Sequence, residues 1–323
     1  MDLIYTNAER VDQGVLSAYT FDLSYGSDEY ENDFEITIGK TEAALEARAV
    51  IYIEGTEYGG MVDARKSSTT AESITYMGRT WHGILNSKVI QPDTGENYLV
   101  VSGDANDILS MLIVRLGLSG LFSVVERSSG ISVSRYQFNR YCYGYDGIRA
   151  MLAANGAKLK IVWQNRSVCL SAEPIVDYTE SPIDGDDAPV TVERHETKVN
   201  HLICLGRGEL AEREVIHLYV DQFGRIGDVQ YFTGIEEVAE VYDNSFAESS
   251  EELRKGGIAR LTELRNNDKA EMDLTEGKSP TYDIGDIVGS TDMQSGVSVS
   301  AAVSQKIVRI NNGVISTEYK TGG

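Results

Sequence analysis

An alternation of apolar and polar side chains with a period of two recurs along this chain, and it constrains the fold more than any single motif. Tyr19, Phe21 and Leu23 alternate with small or polar neighbours, and Phe34, Ile36 and Ile38 do the same in NDFEITIGK. Such alternation buries one face of a strand. Its punctuation agrees: 31 Gly against 5 Pro suits many strands joined by tight turns. The first hundred residues read as a β meander. IYIEGTEYGGMVDARKSS is a hairpin around Gly55, or Gly59 and Gly60, and ESITYMG is the next strand, with Ile74 and Tyr76 on one side. The pattern returns at Val190 in VTVERHETKVNHLICLG and REVIHLYVD. It ends with AEMDL, IGDIVG, GVSVSAAVSQKIVRI and VISTEYK, the last two joined at Asn312-Gly313, a strong hairpin signal.

The middle third has a different period. In DANDILSMLIVRLG, Ile108, Leu112 and Leu116 fall at i, i+4 and i+8, with Leu109 and Ile113 beside them, which predicts a helix. Asp104 can cap its start and Gly117 its end. A second helix is predicted from about Asp146 to Asn155, with Ile148, Met151 and Leu152 inward and Asn155-Gly156 as terminator. AKLKIVW and SVCLSA then form a hairpin about Gln164-Asn165-Arg166. A last helix is predicted from about Ser250 to Arg265. Ser249 and Glu252 make a capping box, and Leu253, Ile258, Leu261 and Leu264 an apolar stripe. Gly256-Gly257 weakens it, by up to ~1 kcal/mol per Gly relative to Ala.

Fifty acidic and 29 basic side chains among 323 residues set a formal charge of −21. A surface this negative repels phosphates and anionic lipid, so specific nucleic-acid binding and membrane capture are not expected. It suits a wall that DNA slides past. No apolar run approaches the ~20 residues of a membrane span, and MDLIYTNAER lacks the regions of a signal peptide, so no membrane anchor is expected. Cys142, Cys169 and Cys204 are odd in number and widely spaced. This argues against a disulfide framework and a zinc site, and for synthesis in a reducing cytoplasm.

Little of the sequence reads as chemistry. YMGRTWHGILNSKVI places Arg79, Trp81 and His82 within four positions. A His base needs an aimed nucleophile, and neither a Gly-x-Ser-x-Gly elbow nor a cysteine signature is present. The expected reading is a corner: Gly78 ends a strand, Trp81, Ile84 and Leu85 share one helical face, Arg79 holds a carboxylate or loose carbonyls, and the turn plugs a barrel end with Arg79 and Trp81 mostly buried. His195, His201, Cys204 and His217 form the only other His/Cys group, but in a strand the HxxC spacing points to opposite faces, so no metal site is expected. Asp184 to Asp187 (DGDD) lacks the later ligands of a calcium loop. Fifty acids always allow a carboxylate pair, and nothing singles one out for glycoside cleavage. GRGE (Gly206 to Glu209) and GLSG (Gly117 to Gly120) lack phosphate-loop spacing. Catalytic, cofactor and metal residues are therefore all expected to be none. Tyr136, Tyr141, Tyr143 and Tyr145 remain. The last three alternate, so they are expected to share a strand face, either as an interface or as core.

Three stretches together carry a resemblance. ITYMGRTWHGILNSKVI resembles the strand, Gly-Arg, short helix and Ile ending of tail hub proteins of tailed bacteriophages; VNHLICLGRGE, a helix, YDIGDIVG and a final hairpin resemble their second half. The family is the baseplate hub, or tail-associated protein, of siphophages and prophages, similar in design to the hubs of contractile baseplates and injection systems. The resemblance follows most of the chain in order. It implies a β-rich α+β fold with two β-barrel-like domains, at 1–100 and 190–323, a small α+β domain at 101–189 between them, and a helical insertion at about 245–268. It implies a structural, non-enzymatic homotrimer in the virion tail, whose two similar barrels per subunit meet a sixfold ring. Its implied partners are distal tail or tail tube ring proteins and tip or fibre proteins, with DNA passing through. Matching positions carry over Arg79, Trp81, Asn200, Gly206, Gly285 and Asp286 as structural corner residues. Longer members carry a lysin or fibre-like extension. With the last hairpin close to Gly323, the chain is expected to correspond to the hub portion alone, without peptidase or muramidase activity. The alternatives are a hub-derived cell-wall hydrolase and a carbohydrate-binding adhesin module of tail origin.

Overall fold

Most of the alternating segments join into one large sheet. The computed structural model describes residues 2–26, 32–180, 183–184, 190–247, 249–265, 268–275, 281–311 and 313–321. Along the sheet the strands run Val190–Glu193, Lys269–Thr275, Val314–Thr321, Val297–Asn311, Tyr19–Gly26, Asp33–Gly39, Ser73–Thr80, Gly59–Ser67, Val50–Ile53, Leu3–Thr6 and Asp12–Leu16. Ile287–Asp292 pairs with the first part of Val297–Asn311, and Ile183–Asp184 pairs with Ser290 and Thr291 in parallel. The joint between the two ends of the chain is Thr20–Gly26 against Gln305–Asn311.

That joint corrects the expectation of two separate barrels. The strand Val297–Asn311 is 15 residues long, enough to serve two sets of neighbours. Its first part pairs with Ile287–Asp292 and its second with both Val314–Thr321 and Tyr19–Gly26, with a register shift between Val303 and Gln305 where the partners change. A bulge bends and twists a strand at such a point. Among the described residues no barrel closes: Val190–Glu193 returns beside Ile287–Asp292 without forming a ladder. The β-rich α+β organisation stands. Phe21, Leu23, Tyr25, Phe34, Ile36 and Ile38 pack in one core with Tyr282, Val303, Val308, Ile310 and Tyr319. As independently folding units, 1–100, 101–189 and 190–323 are a proposal on which this shared core bears directly.

The α+β unit has its own core. Helix α1 (Trp81–Asn86) follows directly on the strand Ser73–Thr80, so the strand runs two residues past Gly78. Helix α2 spans Ala105–Arg115; Asp104 caps it by accepting from Asn106 N at 2.9 Å, and Gly117 ends it at φ 69°. Helix α3 (Gly144–Ala153) starts earlier than predicted. Tyr145 is therefore inside the helix and buried, while Tyr141 and Tyr143 precede it and are exposed. The three do not share a strand face, because the helical period takes over at Gly144. The hairpin Ala157–Gln164 and Ser167–Pro174 turns on Asn165 and Arg166, at φ 53° and 62°. Two successive left-handed residues are what a two-residue turn between twisted strands requires.

Between Asn200 and Arg265 the chain builds a separate four-stranded sheet. Its order is Ile226–Gly227, Val215–Val220, His201–Leu205, Ala239–Asp243, the last pair parallel. Helix α4 (Ser250–Arg265) covers one face, setting Leu253 and Leu261 on Leu202, Cys204, Leu218 and Val220. Ser249 Oγ accepts from Glu252 N at 3.2 Å at the predicted cap. Ile258 lies off the stripe, partly exposed. Gly257 costs helix propensity but permits the contact: a Cβ there would lie 2.4 Å from Cys204 Sγ. No helix among the described residues is long and apolar enough to cross a membrane. Of DGDD only Asp184 lies within the described residues, and Asn312 of the last hairpin lies outside them.

Candidate functional site

Thr80 ends its strand and caps α1, its hydroxyl accepting from Gly83 N. This turns the chain so that Trp81 and His82 point inward. Trp81 is fully buried and stacks on Trp163 at 5.2 Å, and Trp163 stacks on Tyr52 at 4.3 Å. One column of rings thus ties α1, the hairpin of the α+β unit and the large sheet. Arg79 is not buried as expected; its side chain is 41% exposed. It grips Asp63 in a bidentate pair at 2.7 and 2.8 Å, and donates to Ser87 Oγ at 3.1 Å.

His82 sits between the rings of Tyr25 at 4.7 Å and Tyr145 at 5.1 Å, with Glu57 Oε2 4.0 Å from its Nε2. Glu57 in turn pairs with the buried Lys306, which also donates to the carbonyl of Tyr282. Burial favours the neutral lysine, but Glu57 with Tyr319 and Tyr58 outweighs it and holds Lys306 above its ordinary range. Burial pushes the His82 imidazole down to about 4; Glu57 opposes this and Lys306 adds to it. His82 is thus a neutral packing ring held between Tyr25 and Tyr145.

This environment makes stability depend on pH. An unfolded chain protonates this imidazole near its ordinary value, about 6.5, while the folded chain resists down to about 4. The contribution is complete above about pH 6.5 and falls by roughly 3 kcal/mol as pH drops to about 4. Denaturant midpoints of the parent protein should decline over that window, and those of His82→Gln should decline less. Equal slopes in the two proteins would remove His82 as the cause.

A second buried cluster joins the α+β unit to the C-terminal strands. Lys158 Nζ donates to both Asp286 oxygens at 2.7 Å and lies 2.9 Å from Asp283 Oδ2, while Lys160 pairs with Asp283 at 2.8 Å. Asp286 is fully buried and also accepts from Val176 N and Asp283 N, each at 2.9 Å. Burial works against the charge of Lys158, but Asp286 and Asp283 outweigh it and hold its pKa up. Burial likewise works against the Asp283 carboxylate, which Lys160 and Lys158 hold below its ordinary range. Gly285, at φ 98°, makes the turn that brings Asp283 and Asp286 together, and its N–H donates to Val303 O at 2.9 Å.

The remaining positions lie on the small sheet. Asn200 is buried and clamps the approach to Ala239–Asp243: its Nδ2 donates to Glu236 O at 2.7 Å, and its Oδ1 accepts from Val238 N at 3.0 Å. Gly206 lies close beneath Leu253 of α4. His201 and His217 hydrogen-bond at 2.8 Å, and His201 Nδ1 meets Glu237 at 2.5 Å. Cys204 points the other way, under α4, and half-exposed His195 pairs with Glu193. Among the described residues no group of three His, Cys, Asp or Glu could hold a metal ion. The six positions therefore fall in three places: Arg79 and Trp81 at one corner, Gly285 and Asp286 at another, Asn200 and Gly206 on the small sheet. Lys158, Lys306, Glu57 and Asp283 escaped the sequence reading, although Lys306 is in phase with inward Val308 and Ile310 and so signals a buried partner.

These clusters fasten elements together. No family model and no curated protein matches the sequence. Solved structures do match over its whole length. A tail protein of Neisseria meningitidis is 11% identical with a TM-score of 0.58, covering 100% of this chain and 96% of its own. The 43 kDa tail protein of prophage MuSo2 from Shewanella oneidensis is 12% identical with a TM-score of 0.61, covering 99% and 97%. A prophage tail protein of Listeria monocytogenes is 13% identical with a TM-score of 0.54, covering 99% and 94%. From end to end, this chain has the fold of these tail proteins.

Proposed function

We propose that this chain is a structural, non-enzymatic subunit of a phage-type tail, located in the virion tail, where it forms the baseplate hub. It assembles as a homotrimeric ring beneath the distal tail ring, contacts tail tube ring proteins on one side and tip or fibre proteins on the other, and leaves a passage for DNA. The observation that carries this reading is the likeness to tail proteins over essentially the whole of both chains, rather than over one shared module. The ion clusters agree with it. They join the large sheet to the α+β unit, as a part that must keep its shape under load requires. The joined sheet removes one premise: a threefold-to-sixfold match cannot rest on two separate barrels, so the proposal is threefold only. Arg79, Trp81, Asn200, Gly206, Gly285 and Asp286 act in it as structural corner residues. Among the described residues the two buried ion clusters, at Lys306 and at Lys158, neutralise their charges inside packing interfaces, so neither favours a cell-wall hydrolase. Nor do Tyr141, Tyr143 and Tyr145 favour an adhesin, since they present no common face.

Light scattering coupled to gel filtration tests the assembly. The expected mass is three times 35.5 kDa. A dimer or tetramer, or a species that stays monomeric on concentration to about a hundred micromolar, overturns the self-assembling ring.

A further inference from the structure

We propose that the outer edge of the strand Ala239–Asp243 is a docking site for an extended, basic segment of another protein, which adds to the small sheet as a further strand. Among the described residues this strand has one hydrogen-bonded neighbour, His201–Leu205, and the register from His201↔Ala239 to Leu205↔Asp243 is unbroken. Both of its ends are fixed. Asn200 clamps Glu236 and Val238 before it, and Asn244 N donates to Leu205 O at 2.9 Å after it. The strand is thus held in place at both ends, and among the described residues its outer edge pairs with no other strand.

Proteins normally guard such an edge with shortness, charged side chains (above all lysine), proline, a bulge or a covering element, and of the charges this strand carries only the acidic Glu240 and Asp243. Here the sequence is Ala-Glu-Val-Tyr-Asp, the register carries no bulge, and α4 covers only the face bearing Leu202 and Cys204. Val241 is 57% exposed, and the strand is bracketed by Ile235 and Phe246, both almost wholly exposed. Val241, on the face away from α4, is the apolar position that a side chain of an added strand would cover.

Charge selects the occupant. Glu237 is held by His201 and Asp243 by Arg213, but Glu236 and Glu240 are exposed and pair with no cation among the described residues. A second copy would bring the same unpaired carboxylates against them, and like charges across a ladder destabilise it. A strand carrying lysine or arginine between apolar residues neutralises them instead. The inference goes beyond the tail reading and does not depend on it.

Because recognition is by backbone, alternation and charge, a generic probe suffices. The acetylated and amidated peptide Lys-Thr-Val-Lys-Val-Thr-Val-Lys, and its counterpart with Glu for Lys, would each be added in excess to the full chain. Amide hydrogen exchange is followed residue by residue. The basic peptide should slow exchange in Ala239–Asp243 by about tenfold or more, and the acidic one should not. In the doubly reversed protein, Glu236→Lys with Glu240→Lys, the preference should invert; both side chains are exposed, so the fold should survive, which circular dichroism checks. No slowing by the basic peptide, equal slowing by both, or slowing only elsewhere overturns the proposal. Peptide-free self-association abolished by Val241→Lys would assign the edge to a second copy and overturn it too. None of these outcomes alters the mass test of the ring.

Discussion

Replacing Asp286 with alanine is expected to destabilise the protein by about 3–5 kcal/mol, the range for removing one partner from a buried ion pair. The carboxylate is fully buried and accepts four hydrogen bonds, two from Lys158 Nζ and one each from the N–H groups of Val176 and Asp283. Alanine leaves both backbone donors without their acceptor and leaves two lysines sharing Asp283 alone. Denaturant unfolding measures the loss. A change below about 1 kcal/mol would show that the cluster is not a fastening. The double variant Lys158→Met with Asp286→Leu separates the two causes. It restores neutrality with apolar groups, so it should lose clearly less than the sum of the two single changes.

The positions of the strands were legible because alternation is a local signal. Tyr19 to Leu23 and Phe34 to Ile38 present one face each, and both faces are buried where the pattern put them. Partners are not a local signal. Nothing within GVSVSAAVSQKIVRI shows that its second half lies against Tyr19–Gly26, almost the whole chain away, and two barrels fit the same pattern as one joined sheet. The helices show the same limit at finer scale. Asp104 and Ser249 cap where expected because capping depends on residues a few positions apart. The start of α3 at Gly144 was hidden by the alternating tyrosines just before it.

The corner residues divide in the same way. That Trp81 belongs inward followed from its phase with Ile84 and Leu85. That it would touch Trp163 could not follow, since the two meet only through the fold. The buried ion clusters were the least legible feature. Lys158 and Lys160 look like the solvent face of a hairpin strand, and only the return of the segment bearing Asp283, Gly285 and Asp286 covers them. A lysine on an apolar phase, as at Lys306, is the one local hint that a carboxylate waits elsewhere.

Trp81→Ala is the other large effect, about 3–5 kcal/mol, the range for truncating a buried aromatic. Trp81 has no exposed surface, and its ring lies between Trp163 and the backbone at Gly59. The space left on truncation cannot be refilled from the Trp163 side, because that ring is already stacked on Tyr52. Nor can the sheet move in, because Gly59 is fixed in the pairing of Val50–Ile53 with Gly59–Ser67. The cost should therefore sit toward the upper part of the range. Trp81 and Trp163 are the only two tryptophans, so fluorescence reports the site directly. In Trp81→Ala the emission of Trp163 should shift to the red as its stacked face opens. In Trp81→Phe, which keeps a ring in the column, both the shift and the destabilisation should be smaller. An unchanged melting temperature in Trp81→Ala would mean that the column does not join the large sheet to the α+β unit, and the corner would then be an incidental turn.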